Sequence, residues 1–313
     1  MSTRLASDVV LSGCCAALAL LLCLPTTNWV LDVLGSFRVQ AGVAALLLGV
    51  ARMSIRRWLP AALWAAGGVL CLANVLLAPR ATLDPTAARD LRIMVQNVHT
   101  SNRAFSMVTT TVREVAPDVL AVLETDELWT GALRQQLRGT LPHAEVKPRS
   151  DNFGIALFSA QPMDVTLLET PPLGLPSMEA VLPAGGGLVR IIATHPIPPL
   201  SARHVQIRNA HIANILAHAA EGSIPTVLVG DLNLAPTSPA WRRLTAGSPL
   251  RRAQRGPLPA GTWPAILGVA GISIDHAMIG EGLVVSGMGV LPSVGSDHRG
   301  VYVDVARESS GRR

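Results

Sequence analysis

Cysteine is absent from this chain after residue 71, and lysine and tyrosine each occur once in its 313 residues. The four cysteines, Cys14, Cys15, Cys23 and Cys71, lie in apolar runs near the N-terminus, where a thiol behaves as a small hydrophobic side chain. The polar remainder therefore contains neither a disulfide framework nor a zinc site built on cysteine. Its basic charge comes almost entirely from arginine.

Charge is also scarce in the first 80 residues, which hold six arginines and two aspartates. The rest of the chain has twenty basic and nineteen acidic side chains, so it lacks the basic excess of a surface that binds nucleic acid without specificity. With 49% hydrophobic and 15% charged residues, the chain is too apolar to be one ordinary soluble domain. The same composition excludes a disordered chain.

Three apolar stretches before residue 80 predict a transmembrane segment. The clearest one, Trp58–Ala78, has 21 residues without a charge, which is about 31 Å of helix and enough to cross a bilayer core. Shorter stretches at 9–24 and 36–51 complete a prediction of three spanning helices. A cleaved signal peptide is the alternative for the first stretch.

The arginines predict how these helices are oriented. With three spans, the N-terminus shares a side with the loop that carries Arg52, Arg56 and Arg57, and the positive-inside rule assigns that side to the cytoplasm. We therefore expect a multi-pass protein of the cell membrane whose large domain is extracytoplasmic. Three arginines after the third span favour the opposite orientation.

The pattern after residue 80 is that of an α/β domain. Residues 81–90 are polar around a central proline and predict a linker. Short β-type runs follow, together with helical spacing at 104–115 and 201–220. We accordingly divide the chain into a transmembrane segment over 1–80, the linker, one large domain over 91–306 and a tail over 307–313.

Polar residues stand at the ends of several predicted strands, where a strand fixes a side chain and the loop beyond leaves it open to substrate. These positions are Gln96-Asn97, Leu123-Glu124, Thr194-His195, Gly230-Asp231-Leu232-Asn233, Ile274-Asp275-His276 and Ser296-Asp297-His298. A helix cap, an Asx turn or a structural histidine explains each of them singly. Together they provide the carboxylates, imidazoles and amides that metal-assisted hydrolysis of a phosphoester requires.

The order of these motifs resembles the endonuclease/exonuclease/phosphatase superfamily over about residues 90–306. Gly230-Asp231-Leu232-Asn233 and Ser296-Asp297-His298 are the most specific matches. The resemblance implies an α/β fold, a four-layer sandwich with two packed mixed β-sheets, here preceded by the transmembrane helices. It also implies a single active site at the upper edge of the sheets.

The same resemblance implies a metal site. Glu124 takes the place of the principal metal ligand, and Asn97 takes that of a neighbour that supports metal and phosphate. Asp297 would complete the site. Carboxylate oxygens suit Mg²⁺, a hard cation that prefers oxygen ligands, so Mg²⁺ is the predicted cofactor and Mn²⁺ the alternative.

Five further residues take catalytic positions by this resemblance. Asp231 would orient or activate the attacking water, and Asn233 would bind a phosphate oxygen. His298 takes the place of the catalytic imidazole, oriented by Asp275. His195 takes that of a second histidine for acid/base or phosphate-stabilising work. The chemistry of these side chains agrees with the roles but does not by itself divide them.

The favoured interpretation is a membrane-anchored, metal-dependent phosphodiesterase that cleaves nucleic acid as an endonuclease does. A phospholipid phosphodiesterase or phosphatase acting on lipid headgroups is the first alternative. Against it, the sequence shows no long apolar loop beyond 173–176 and 197–200 that would enter lipid. The second alternative is an inactive membrane scaffold, which the chemically competent residue at every expected position disfavours. The sequence indicates no protein partner.

Overall fold

The computed structural model describes residues 3–24 and 26–308 of the chain, so the predicted tail over 307–313 lies almost wholly outside the described residues. The helices are α1 (Thr3–Cys23), α2 (Trp29–Gly35), α3 (Arg38–Ser54), α4 (Trp58–Leu76), α5 (Phe105–Val115), α6 (Glu127–Leu137), α7 (Ala202–Ala219) and α8 (Pro239–Thr245). A 3-10 helix covers Ala265–Ala270.

Twelve strands are described. They are β1 (Leu91–Asn97), β2 (Val119–Leu123), β3 (His143–Lys147), β4 (Ile155–Ser159), β5 (Asp164–Thr170), β6 (Leu175–Ala184), β7 (Gly187–Thr194), β8 (Thr226–Asp231), β9 (Arg251–Arg252), β10 (Asp275–Ile279), β11 (Leu283–Ser293) and β12 (Arg299–Arg307). They form two six-stranded sheets, ordered β11-β12-β1-β2-β4-β3 and β5-β6-β7-β8-β10-β9.

Both sheets are mixed, as the sequence predicts. Strand β1 is parallel to β2 and β7 is parallel to β8, while the other neighbours are antiparallel. The two sheets pack face to face through alternate aliphatic side chains such as Val95, Ala121, Ile191 and Val229. This alternation places every second residue of a strand in the core between the sheets.

Helices cover the outer faces of the sandwich. Against the first sheet, α5 and α6 bury Val108, Leu133 and Trp129, which pack with Phe158 of β4. Against the second sheet, α7 is held by the hydrogen bond between His211 Nε2 and Thr194 Oγ1 of β7, at 2.8 Å. The predicted four-layer α/β sandwich is therefore confirmed.

The chain forms two compact units. One contains the residues up to Ala78 together with Leu234–Ala246, and the other contains Pro79–Asn233 together with the residues from Gly247 onward. We refer to them as the helical unit and the catalytic unit. The predicted linker over 81–90 lies in the catalytic unit, where Ala81 N–H donates to the carbonyl of Arg252 at 2.9 Å. The boundaries drawn from the sequence at 80 and 90 stay a prediction.

The helical unit contains candidate membrane spans. Ala6–Cys23 and Trp58–Leu76 are long and apolar enough to cross a membrane, and α2 with α3, which are bent by 68°, form a third candidate if taken as one span. The break lies at Ser36 and Phe37, between the end of α2 at Gly35 and the start of α3 at Arg38. These helices suggest that the protein associates with a membrane.

Small residues let α3 and α4 pack closely. A Cβ atom added to Gly68 would lie 2.9 Å from the carbonyl oxygen of Gly42, so neither helix tolerates a larger residue there without moving. Helices in lipid commonly associate through such small residues, because the bilayer offers no hydrophobic driving force between them.

The segment 234–246 follows the Asp231–Asn233 motif directly, yet it folds into the helical unit. Asp32 of α2 is 2% exposed, and its Oδ1 accepts the backbone N–H of Ala240 at 2.8 Å. The hydroxyl of Thr237 donates to the carbonyl of Ser36 at 3.1 Å. Arg242 donates to Asn74 Oδ1 at 3.0 Å. No local pattern in the sequence indicates these contacts.

Replacing Asp32 with alanine is expected to loosen this segment. The Ala240 N–H loses its acceptor in a buried environment, which costs about 1–3 kcal/mol. Hydrogen exchange of residues 234–246 in the full chain should become faster in Asp32→Ala. Asp164→Ala, which removes an exposed aspartate of β5, serves as the control and should leave the rate unchanged. Equal exchange in both variants would contradict the anchoring role of Asp32.

Candidate active site

The ends of five strands meet at one edge of the sandwich. Because β1 and β2 are parallel, Asn97 lies beside Leu123, the residue before Glu124. In the second sheet the antiparallel β8 and β10 place Asp231 opposite Asp275. Strand β12 runs antiparallel to β1, so the residues just before it reach the same edge. Sheet topology thus collects the polar strand ends.

Asn97 and Glu124 are in direct contact. The Asn97 side-chain amide donates to Glu124 Oε1 at 2.8 Å and to Asp231 Oδ2 at 3.2 Å. Glu124 has a φ of 61°, a left-handed conformation that is uncommon for residues other than glycine and is often found at functional sites. Thr100 holds this backbone by donating its hydroxyl to the Glu124 carbonyl at 2.9 Å.

His195 lies between two of the carboxylates. Its Nε2 is 3.5 Å from Glu124 Oε1, and its Nδ1 is 3.5 Å from Asp231 Oδ2. The imidazole is buried, and the ring of Phe153 lies 5.5 Å from it between ring centres. His195 therefore joins the Glu124 and Asp231 sides of the site.

His298 is held by Asp275. The distance from His298 Nδ1 to Asp275 Oδ2 is 3.0 Å, and His298 Nε2 lies 3.7 Å from Asp231 Oδ2. Among the described residues, the other carboxylate oxygen of Asp275 is buried without a hydrogen-bond partner. The imidazole is thus oriented with its Nε2 toward the centre of the site.

Asn233 makes a turn directly after Asp231. Its backbone N–H donates to Asp231 Oδ1 at 2.9 Å, and its side-chain amide donates to the carbonyl of Pro196 at 3.0 Å. Its φ is 49°. The Asx turn that the sequence offered as an alternative is therefore present, and it places Asn233 beside the His195 loop.

Burial and neighbouring charges shift the pKa values of these groups. Burial alone would raise the pKa of Glu124, but the hydrogen bond and charge of His195, with the Asn97 amide, lower it to about 2. Burial raises the pKa of Asp231 to about 6. Burial would lower the pKa of His298, but the charges of Asp275 and Asp231 raise it to about 10. The site therefore favours an ionised Glu124 and a protonated His298.

Two groups of side chains have the spacing of metal ligands. Ligand atoms of Glu124, His195 and Asp231 lie within 4.8 Å of one another, and so do those of Asp231, Asp275 and His298. Carboxylate oxygens with an imidazole nitrogen suit a divalent cation. The unpartnered carboxylate oxygen of Asp275 is a further atom that can bind the metal. The residues present therefore fit a divalent metal.

Asp297 stands apart from these groups. Its side chain is 49% exposed and accepts the indole N–H of Trp263 at 3.0 Å. Its other oxygen lies 3.7 Å from His99 Nδ1. Neither ligand group of the described residues includes Asp297, because Trp263 and His99 hold its carboxylate at the margin of the site.

Sequence reasoning missed several residues that support the site. His99 and Thr100 lie in the loop just after β1. Thr100 contacts Glu124, and His99 contacts Asp297. Arg208 of α7 is buried and donates to the carbonyl of Asn233 at 2.9 Å. The loop residues were within reach of prediction, since they adjoin Asn97, whereas nothing local in the sequence marks Arg208.

The model of the Endonuclease/Exonuclease/phosphatase family matches residues 94–298. The chain belongs to this family. Members of the family generally hydrolyse phosphoester bonds and typically use divalent metals, which agrees with the ligand groups described above. None of the curated proteins matches the chain.

Several solved structures share the fold of this endonuclease/exonuclease/phosphatase protein. One from Beutenbergia cavernae, of the same family by its description, has 22% identity and a TM-score of 0.61, covering 71% of this chain and 73% of the other. The human Nocturnin catalytic domain has 18% identity and a TM-score of 0.58, covering 71% and 97%. Beta toxin from Staphylococcus aureus has 15% identity and a TM-score of 0.53, covering 68% and 99%.

Proposed function

We propose that the chain is a membrane-anchored, divalent-metal-dependent phosphodiesterase. The observation that carries this proposal is the contact of one acid, Asp231, with both histidines of the site. Asp231 Oδ2 lies 3.5 Å from His195 Nδ1 and 3.7 Å from Nε2 of His298, which Asp275 holds. A water-activating carboxylate between two imidazoles suits displacement at phosphorus, where one group must take a proton and others must hold phosphate oxygens.

Each role follows from the surroundings of the side chain. Asp231, with its pKa raised to about 6, accepts the proton of the attacking water. His298, protonated and oriented by Asp275, donates a hydrogen bond from Nε2 to the phosphate. His195 and Asn233 hold further phosphate oxygens. A divalent cation bound at Glu124, with Asn97 and Asp231 beside it, supplies charge neutralisation when it is present.

Mg²⁺ is the metal that we propose, with Mn²⁺ as the alternative. Glu124 and Asp231 provide oxygen donors, which Mg²⁺ prefers, and it keeps several waters when bound by few carboxylates. His195 in the same group is a ligand that Mn²⁺ also accepts. The choice between the two metals rests on which of these side chains take part.

We infer that the catalytic unit lies outside the cytoplasm and that α1 is retained in the protein. Asp8 near the start of α1 pairs with Arg52 and Arg57 at 3.0 and 2.7 Å, which gathers the basic residues at one end of the helical unit. The chain leaves α4 for the catalytic unit after the opposite helix end. The positive-inside rule then assigns the arginine-rich end to the cytoplasm.

Removal of metal is the direct test of the hydrolytic function. The full chain in detergent should hydrolyse bis(p-nitrophenyl) phosphate, and EDTA should lower the rate by at least about 100-fold. Mg²⁺ or Mn²⁺ should restore the rate. Ca²⁺ serves as a control, because it has the same charge but a different coordination geometry. Hydrolysis that persists in EDTA would overturn the metal requirement. No hydrolysis under any condition would favour the inactive scaffold.

Two substrate classes are candidates, nucleic acid and a lipid phosphoester. Plasmid DNA as the substrate under the same conditions tests the first. Nucleic acid is the class that the sequence motifs favour. The near balance of acidic and basic residues after residue 80 offers little of the field that concentrates a long polyanion. A phosphoester at a lipid surface is the second class, and the exposed apolar segment Ala265–Ala270 of the catalytic unit favours it.

A further inference from the structure

A short apolar loop lies exposed on the catalytic unit. It is the 3-10 helix Ala265–Ala270, in which Ile266 is 92%, Leu267 55% and Val269 79% exposed. Single exposed aliphatic residues are common on protein surfaces, but a cluster of them marks a contact surface. The sequence pointed to no apolar loop for lipid contact beyond 173–176 and 197–200 and so did not indicate this one, because an apolar run does not reveal whether it is buried.

The loop is fixed to the margin of the active site. The N–H of Ala265 donates to the carbonyl of Asp297 at 2.7 Å, and the Trp263 indole donates to the carboxylate of the same residue at 3.0 Å. Trp263 and Ile272 exchange backbone hydrogen bonds across the base of the loop. The apolar tip is therefore attached to Asp297, the residue that directly precedes His298.

A cavity of about 300 Å³ is lined both by Val269 of the loop and by Asp275 of the site. Val269 and Leu258 contribute apolar lining, Arg255 and Arg299 contribute positive charge, and Asp275 lies at the same cavity. A pocket that combines an apolar wall with a few polar groups is typical of small-molecule sites. This combination suits a molecule with a phosphate at one end and hydrocarbon at the other.

We propose that Ala265–Ala270 lies in the surface of the bilayer and that the substrate is a lipid-linked phosphoester whose hydrocarbon part stays in the membrane. This inference rests on the proposed hydrolytic function and names its substrate class. Only Leu77 and Ala78 lie between the end of α4 and Pro79, the first residue of the catalytic unit, so the Cα atoms of Leu76 and Pro79 are at most about 11 Å apart when the chain is extended. The unit therefore works close to the bilayer that holds α4.

The chemistry of the loop selects this occupant over the alternatives. Residues 263–274 contain no charged side chain, so nucleic acid gains no attraction from Ile266, Leu267 or Val269. Aliphatic side chains gain free energy on leaving water for hydrocarbon, and the interface offers hydrocarbon within several ångströms of the headgroups. A lipid surface is thus the partner that the exposed side chains and the short connection both favour.

The reaction at such a substrate is balanced by water alone. The water oxygen forms a bond to phosphorus, and the bond from phosphorus to the leaving oxygen breaks. The water proton is taken by Asp231 and ends on the leaving oxygen. The products are a phosphate monoester, or inorganic phosphate from a monoester, and an alcohol, and the hydrocarbon-bearing product remains in the bilayer.

The first test measures where the loop lies. The full chain is reconstituted in phosphatidylcholine vesicles containing phosphatidylglycerol, and Ile266→Cys is labelled with a water-soluble maleimide. Leu188→Cys is the matched control, because Leu188 is 48% exposed and lies at the start of β7, away from the Thr194 end. The unmutated chain gives the background from its four cysteines. Labelling of Ile266→Cys should be about tenfold slower, and equal rates would overturn the proposal.

The second test measures the consequence for activity. In a variant with Ile266→Ser and Leu267→Ser, hydrolysis of phosphatidylglycerol or phosphatidic acid in the vesicles should fall by about tenfold or more. Hydrolysis of bis(p-nitrophenyl) phosphate should stay within about twofold, because neither residue lines the cavity or belongs to the catalytic set. Leu188→Ser should change neither rate.

The outcomes separate the two proposals. If the unmutated chain hydrolyses bis(p-nitrophenyl) phosphate and plasmid DNA but neither lipid, the lipid assignment is overturned while the phosphodiesterase assignment stands. If it hydrolyses none of these, the proposed function fails, even where Ile266→Cys is protected from the maleimide. Equal lipid hydrolysis by the serine variant and the unmutated chain would show that the loop plays no part in bringing the lipid substrate to the site.

Discussion

Hydrolysis of bis(p-nitrophenyl) phosphate is expected to fall by about 10²- to 10⁴-fold when His298 is replaced with alanine. The Nε2 atom of His298 lies 3.7 Å from Asp231 Oδ2, and its Nδ1 atom lies 3.0 Å from Asp275 Oδ2, which fixes the ring. Alanine removes both the hydrogen bond to phosphate and the positive charge that the two carboxylates stabilise. The measurement is the rate of the Mg²⁺-loaded full chain at saturating substrate.

His143→Ala is the matched control for this variant. His143 lies on β3 opposite Ser159, and Ser159 pairs with Val119 at the start of β2, the end away from Glu124. Its removal should leave the rate within about twofold. Metal affinity should be retained in His298→Ala, since Glu124, Asn97 and Asp231 are unchanged. A His298→Ala rate within about tenfold of the unmutated chain would contradict the role of the imidazole.

Glu124→Gln is expected to abolish detectable binding of Mg²⁺ and, with it, hydrolysis. Changes to residues that merely support a metal ligand cost 10- to 100-fold in affinity, so loss of the ligand's own charge should cost at least about 100-fold. The pKa of Glu124, lowered to about 2, means that the group is ionised at neutral pH and that the amide removes a full negative charge. Isothermal titration of the full chain with Mg²⁺ or Mn²⁺ measures the change.

A second glutamate provides the control for this prediction. Glu179 of β6 pairs with His218 Nε2 at 2.7 Å and belongs to neither ligand group, so Glu179→Gln should bind metal as the unmutated chain does. If Glu124→Gln keeps its metal affinity but loses activity, Glu124 acts on the substrate and not as a metal ligand. The Asp231, Asp275 and His298 group would then be the metal site to test next.

The strand pattern made most of the fold predictable. Helical spacing at 104–115 and 201–220 matches α5 and α7, because a helix that covers a sheet must place apolar residues on one face. Continuous apolar runs such as Val119–Leu123 matched strands that are buried on both faces. The motif order then indicated the family, and the family match over 94–298 confirms that resemblance.

Other elements were not predictable from local pattern. Helix α6 and the edge strand β3 were not anticipated, and β11, with 11 residues from Leu283 to Ser293, is longer than the short β-type runs of the sequence. Edge strands such as β3 carry alternating polar residues and gain their conformation from pairing with a neighbour. Their assignment therefore depends on the partner strand more than on their own composition.

The sequence by itself determined which residue types stand at the strand ends, and therefore the kind of chemistry to expect. Tertiary structure decided which of them meet. Asp275 and His298 lie on different sheets and are brought together by the packing of one sheet on the other, and Asp297 next to His298 is turned toward Trp263 instead. Only the folded chain placed 234–246 against Asp32 and left Ala265–Ala270 exposed. The reason is physical: local pattern encodes backbone conformation, whereas contacts between distant residues depend on how whole elements pack.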